Sequence, residues 1–421
     1  MKRKALWISI IGILLIGFVC LFCYRHYIRQ KQIEQKKHTG LVSENFPVQD
    51  IKHQCKNIYE DAYQTEADNQ LQNMRNNNSY TIEEPLLVWN PYGTNTGSFY
   101  YYGVSKQDSY VVCEVTCNNG SVIKHRLKND SDSGVTKTHE YLITGLAPGL
   151  KNHFSLAFYD AGNNLIHTYQ YTVTLKKDKQ IPAITKVEKG NSKSSLTDGL
   201  FAVLGHDKSK AKNIYYYDNN GICRGKTPLN DYRTDRILTI DGKLVYSYSL
   251  TDIAFVNRLG KVEKTLSLGK YELHHDFMYD EKRNELLCLV NDTDKDTIED
   301  VLISVNIETG KIKKLVDFEK MMKSMRKRSV QRKGGKNTYG GTELDWLHLN
   351  SLDMINDKDA VFSSREESVI IKINNIYENP SIDYLIHSGS LYKGTKYEKL
   401  LLKQKGNFVG HAGQHTITVE H

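Results

Sequence analysis

Residues 302–318 read LISVNIETGKIKKLVDF. Leu302–Ile307 is a strand-like run with β-branched residues, Thr309-Gly310 closes a polar turn, and a second strand-like run follows. The same order recurs at Asn213–Tyr217 before Asn219-Asn220-Gly221 and at Ala254–Asn257 before Leu259-Gly260. It recurs more loosely at Ile370–Ile373 before Tyr377-Glu378-Asn379. The turns are spaced from about 40 to nearly 70 residues apart. A four-stranded propeller blade takes about 40 to 50, and the excess fits loop insertions. Repetition of one turn in similar units favours a propeller over a second sandwich, so the chain from about Leu196 reads as propeller-like.

Upstream, the segments are shorter. Leu86–Trp89, Ser98–Val104, Tyr110–Thr116, Ser121–Leu127, Glu140–Ile143, His153–Tyr159 and Leu165–Thr174 are β-rich, with turns such as Asn90-Pro91-Tyr92-Gly93 and Asp160-Ala161-Gly162-Asn163 between some of them. Seven strands in about 100 residues predict a β-sandwich. Before it, Val48, Ile51, Ile58, Tyr59 and Tyr63 recur at roughly helical spacing, ahead of the breaker Asn76-Asn77-Asn78. The chain thus reads as all-β, divided into an anchor at 1–24, a stalk with a short helix at 25–80, a sandwich at 81–178 and a propeller at 179–421.

Ala5–Tyr24 is a run of 20 residues without a charge, preceded by Lys2, Arg3 and Lys4. That length spans a bilayer core as a helix. It ends in Phe22, Cys23 and Tyr24 rather than the small residues of a cleavage site. The expectation is an uncleaved single-pass anchor in the cell membrane, with the rest of the chain outside the cytoplasm. The net charge of +8 is local: residues 1–40 carry +7, residues 313–336 carry +8, and the remainder is −7. That pattern argues against a nucleic-acid partner. Within the second basic segment, Leu315, Phe318, Met321, Met322 and Met325 suggest a short amphipathic helix. Five cysteines lie beyond the anchor; Cys113 and Cys117, four apart in one strand, face the same side and do not suit a bond to each other.

No nucleotide-binding, zinc-protease or serine-hydrolase motif occurs. The acidic run Asn291–Asp296 lacks the glycine and glutamate that a calcium loop requires. Neither a metal nor a cofactor is expected. Histidine placement is the clearer signal. His274-His275-Asp276, Asp345–Ser351 and Gly413–Thr416 each set a histidine among polar groups next to a strand, and Ser363-Ser364-Arg365 ends another strand on an arginine. Strand alternation would put His348 and Asn350 on one face. In a propeller, such inner-strand ends converge on one funnel.

Taken in order, His274-His275-Asp276, DWLHLNS at 345–351, Ser363-Ser364-Arg365 and Gln414-His415-Thr416 resemble the bacterial arylsulfate sulfotransferases that do not use phosphoadenosine phosphosulfate. The 17-residue step from His348 to Arg365 fits, as do Asn90–Gly93 and Leu146–Pro148 in the sandwich. The resemblance covers roughly residues 80–421. It implies a six-bladed propeller behind an N-terminal sandwich, and sulfuryl transfer from a phenolic sulfate ester to a phenol acceptor. It places His415 at the family's nucleophile, which becomes sulfated in a ping-pong cycle. It sets His275, His348 and Arg365 as catalytic residues around the sulfate, with Asn350 binding it. His274 is a register alternative to His275, and either His275 or His348 can serve as acid. Family members continue past the Q-H-T motif, whereas five residues follow Thr416 here. The expectation is therefore a last blade cut short, with Thr416–Val419 a strand lacking partners and activity in doubt. A non-catalytic anchored propeller and an aryl-sulfate hydrolase are the competing readings.

Overall fold

The computed structural model describes Tyr24 and Arg25, residues 39–43 and residues 47–420. Within the last span it leaves out Asp132 and residues 182–187, 189, 192–198, 206–211, 232–233, 332–334 and 338–339. Apart from Tyr24, the expected anchor lies outside the described residues. Among the described residues no helix is long and apolar enough to cross a membrane.

The molecule is mostly antiparallel β-sheet with few helices. Its first part holds β1 (Thr39–Ser43), a helix (Asp61–Asn77), β2 (Leu86–Trp89), β3 (Phe99–Cys117), β4 (Ile123–Arg126), β5 (Thr136–Ile143), β6 (Lys151–Tyr159) and β7 (Leu165–Thr174). Two strands expected at 98–104 and 110–116 are one. The first half of β3 pairs with β2 and β5, and its second half pairs with β6 and β4. One strand thus serves two layers. The alternation Val111, Cys113, Val115, Cys117 points inward along its second half, against Phe154, Phe158 and Tyr171. Both cysteines are buried and free, as are Cys223 and Cys288. The segment expected as a stalk is packed from residue 49 onward: Gln49 bridges to Val88, and the helix buries Ala67 and Leu71 against Leu86, Val88 and Tyr100.

The second part begins with a three-stranded sheet of β8 (Phe201–Val203), β9 (Asn213–Tyr217) and β10 (Cys223–Pro228). Three four-stranded antiparallel meanders follow: β11–β14 (Ile237–Ile240, Lys243–Ser247, Asp252–Val256, Val262–Ser267), β15–β18 (Tyr271–Asp280, Glu285–Asp292, Val301–Asn306, Ile312–Asp317) and β19–β22 (Leu349–Met354, Ala360–Ser364, Val369–Asn374, Ser381–Ile386). The described residues after 200 therefore hold four small sheets, three of them four-stranded. The 302–318 stretch forms β17, a turn and β18. Asn306 Oδ1 accepts from the Thr309 N–H at 2.9 Å, and Gly310 takes φ +67°, a conformation that suits glycine. Successive meanders share apolar cores. Leu266, Phe277, Cys288 and Ile303 join the first two, and Leu287, Leu302, Phe362 and Ile371 join the last two.

The basic segment forms two short turns rather than one helix, Phe318–Met321 and Lys323–Arg326. Phe318, Met322 and Met325 enter the core of the last two meanders, while Lys314 and Arg326 reach Asp292 and Asp296. Thr416–Val419 pairs with no strand among the described residues. Between the two parts, fully buried Arg224 donates to Asp218 Oδ2 at 2.7 Å, to the Gly145 carbonyl at 2.7 Å and to the Ser121 carbonyl at 2.5 Å.

Candidate active site

The site is built where strand register fails. β15 pairs with β16 up to Leu273 and again from Phe277, so His274, His275 and Asp276 fall in the break. The β19–β20 ladder breaks between Leu349 and Ser351, at Asn350. Such irregularities re-aim side chains that a regular strand would fix by alternation. His275, Glu299 and His348 take φ of +55°, +58° and +51°. The other non-glycine residues in that region are asparagine, aspartate or serine, which tolerate it better than a glutamate does. Strand alternation therefore does not set His348 and Asn350; a left-handed residue and a register break do.

The two irregular strands are tied together by Asp276. Its Oδ2 accepts from the Leu352 N–H at 3.0 Å, and its Oδ1 takes Arg236 Nη1 at 2.5 Å. Burial raises this carboxyl above its usual pKa. His275 is fixed through its backbone N–H, which donates to Asp235 Oδ2 at 3.1 Å. Its Nε2 lies 3.0 Å from His348 Nε2 and 3.5 Å from Glu299 Oε1.

His348 is 1% exposed. Its Nδ1 sits between Glu299 Oε2 at 2.5 Å and Asp345 Oδ2 at 2.8 Å. Burial alone would lower its pKa, but the Asp345 carboxylate, which accepts from Nδ1, and the adjacent Glu299 carboxylate override that and raise it to about 9. Burial would likewise raise Glu299, and its contacts with His275 and His348 hold it well below its usual value instead. His348 is therefore a buried imidazolium between two carboxylates.

His415 reaches the cluster from the chain segment after β22. That segment forms no ladder; side chains of β19 bracket it. Asn350 Nδ2 donates to the Gln414 carbonyl at 2.8 Å, Ser351 Oγ accepts from the Ile417 N–H at 2.9 Å, and Asp353 Oδ2 accepts from the Val419 N–H at 2.8 Å. From the other side, Gln414 Nε2 donates to the carbonyls of Ser364 and Val369. His415 is exposed, with its ring edge-on to His275 at a centroid distance of 5.1 Å. Burial, and then the charges of His275, His348 and Arg365, lower its pKa. A lowered pKa favours its neutral imidazole near pH 7. A cleft of about 470 Å³ is lined by Arg236, His275, Asn350, Ser351 and His415.

Residues 185–421 match the model of the arylsulfotransferase (ASST) family. The chain belongs to this family. No curated protein matches the chain. For an arylsulfotransferase, the family implies an aryl sulfate donor and a phenol acceptor, and it supports sulfotransferase activity in general.

Of the residues expected around the sulfate, His275, Asn350 and His415 line one cleft, while His348 lies behind His275. Arg365 is fastened by its backbone N–H to the His348 carbonyl at 3.1 Å. Its guanidinium turns to Glu366 at 2.7 Å and lies 3.8 Å from Asp345, so it does not line the cleft. His274 faces away, into a second cavity lined also by Glu299, Asp292 and Lys295. Both of its ring nitrogens are buried without a hydrogen-bond partner among the described residues, and burial lowers its pKa to about 3. In this arylsulfotransferase His275 is thus the cleft residue of the pair.

Sequence reading passed over Glu299 entirely and gave Asp345 no role. The available signal was Glu299-Asp300 between the apolar residues Ile298 and Val301, an acidic pair at the start of a strand whose residues are otherwise buried. A divalent cation would find its ligand atoms in His274, His275 and Glu299, or in Glu299, Asp345 and His348, each trio lying within 4.8 Å. In the second trio His348 Nδ1 already donates to Asp345 Oδ2 at 2.8 Å, with Glu299 Oε2 in ion-pair contact at 2.5 Å.

Proposed function

We propose that this arylsulfotransferase moves a sulfuryl group from a phenolic sulfate ester to a phenol in two displacements, through a sulfated His415. Attack by the neutral His415 nitrogen on sulfur forms the N–S bond as the S–O bond to the aryl group breaks. The phenol leaves, and a second phenol takes the SO3 group from His415. Two steps through a covalent intermediate give ping-pong kinetics. The single observation that carries this reading is the exposed His415 ring set edge-on to His275 at 5.1 Å, in a cleft where His275 is backed at 3.0 Å by the buried His348 ring. Near a transferring SO3 group, positive charge stabilises the developing negative charge.

In this reading Asn350 donates to a sulfate oxygen after releasing the Gln414 carbonyl, and Arg365 swings from Glu366 to hold two sulfate oxygens in a fork. His275 and His348 handle the proton. The meanders β11–β14, β15–β18 and β19–β22 are consecutive blades of a propeller whose inner strands are β11, β15 and β19. The run Ala5–Tyr24 anchors the enzyme in the cell membrane, with the cleft outside the cytoplasm.

The test is an assay with a chromogenic aryl sulfate, with and without a second phenol. Steady release that requires the phenol supports transfer. Steady release in water alone makes the enzyme a hydrolase, and no release at all leaves a binding protein.

A further inference from the structure

Resting on that transfer reading, we propose that Glu299 and Asp345 are positioning residues that fix a proton on His348 and so make His348 and His275 a two-ring relay, in which His275 alone meets the aryl oxygen. The argument begins with access. His275 lines the cleft and His348 does not; His348 is 1% exposed and lies directly behind the His275 ring.

Hydrogen-bond direction comes next. Carboxylates only accept, so the His348 Nδ1 between Glu299 and Asp345 carries a hydrogen. The two Nε2 atoms 3.0 Å apart share one hydrogen. With His348 as the cation, its Nε2–H donates and the His275 Nε2 accepts. The His275 ring then carries its own hydrogen on Nδ1, the nitrogen left for the cleft.

The backbone shows how firmly this is set. Glu299 holds a left-handed conformation. Its N–H donates to Asn291 Oδ1 at 2.8 Å, and its carbonyl accepts from the Leu349 N–H at 3.0 Å. The residue that orients the His348 proton is thus bolted to the first residue of β19.

The step balances. As His415 bonds to sulfur and the S–O bond breaks, the bonding pair goes to the aryl oxygen, which takes the His275 Nδ1 proton. His275 Nε2 takes the His348 Nε2 proton, and His348 becomes neutral with Nδ1–H still on its carboxylates. In the return step the acceptor phenol gives its proton to His275 Nδ1, and Nε2–H passes back to His348. The phenol oxygen then bonds to sulfur and frees His415.

The experiment is single-turnover formation of labelled enzyme from 35S-labelled 4-nitrophenyl sulfate and phenyl sulfate, without acceptor, in wild type, Glu299→Gln and Asp345→Asn. A good leaving group needs little help from an acid, and a poor one needs much. We expect each variant to lose about 100-fold on phenyl sulfate and less than about 5-fold on 4-nitrophenyl sulfate. Thermal melts identify any variant that fails to fold, and the other variant then decides. Equal losses on both esters would reduce the carboxylates to a structural role and overturn the relay. A stoichiometric divalent metal in purified wild type, absent from Glu299→Gln, would overturn it as well. Wild type that forms no label would overturn the transfer reading and the relay with it, whereas normal labelling with equal losses sinks the relay alone.

Discussion

The meanders β11–β14 and β15–β18 are the same unit built twice, yet only one carries catalytic-type side chains. In the first, β11 pairs with β12 in unbroken register, Ile237 to Tyr246 through Ile240 to Lys243. In the second, β15 loses register over His274–Asp276. β19 repeats the break at Asn350. The difference teaches that the first strand of a meander makes scaffold where its ladder is regular and site where it fails, while the shifts at Phe255/Val256 and Leu302/Ile303 lie in later strands and aim no site residue. Left-handed non-glycine residues are costly, of order 1–3 kcal/mol each, and here three of them, His275, Glu299 and His348, meet at one buried imidazole.

The sharpest way to break this comparison is at His415. His415→Ala should lower transfer from a chromogenic aryl sulfate to a phenol by at least about a thousandfold, because the covalent route is lost. Turnover at the wild-type level would remove the nucleophile from the account.

The next effect is on stability, at the junction rather than the site. Arg224→Ala strands the Asp218 carboxylate in a buried place and should cost about 3–5 kcal/mol in denaturant unfolding. A cost below about 1 kcal/mol would mean that the pair is solvated in solution.

The pH dependence comes third. The His348 pKa is raised to about 9 in the folded chain, from about 6.5 when unfolded. The sign follows: the carboxylate–imidazolium contact stabilises fully below about pH 6.5 and is lost as pH rises through about 9. Transfer from esters with poor leaving groups should fall over the same upper limb. A flat profile to pH 10 would contradict a cationic His348.

Smaller still is the effect of Asn350→Ala. It removes one bracket from the His415 segment and should weaken transfer about tenfold with little change in melting temperature, since one neutral hydrogen bond contributes about 1 kcal/mol. The smallest change belongs to the regular meander. Thr239→Ala, on the exposed face of β11, should leave turnover within about twofold and stability within about 0.5 kcal/mol.

The strands were legible because alternation and turn residues act locally. Leu302–Ile307 with Thr309-Gly310 is a hairpin wherever it occurs, and the Val111-to-Cys117 alternation faces one core. The joining of 98–104 and 110–116 into one strand was not legible, because the charged stretch between them, Lys106-Gln107-Asp108, has the composition of a turn. Only pairing to two different layers keeps it extended. His275, His348, Asn350 and His415 were visible as polar residues at strand ends. Glu299 was not, since nothing in its own neighbourhood says that a residue 49 positions later will place an imidazole against it.

Labelling with a 35S-aryl sulfate, followed by peptide mapping, tests the central claim most directly. Without acceptor, the chain should hold one sulfate equivalent on the peptide containing His415, and a phenol should discharge it at the rate of turnover. Label on another residue, or turnover without any labelled chain, would contradict the account.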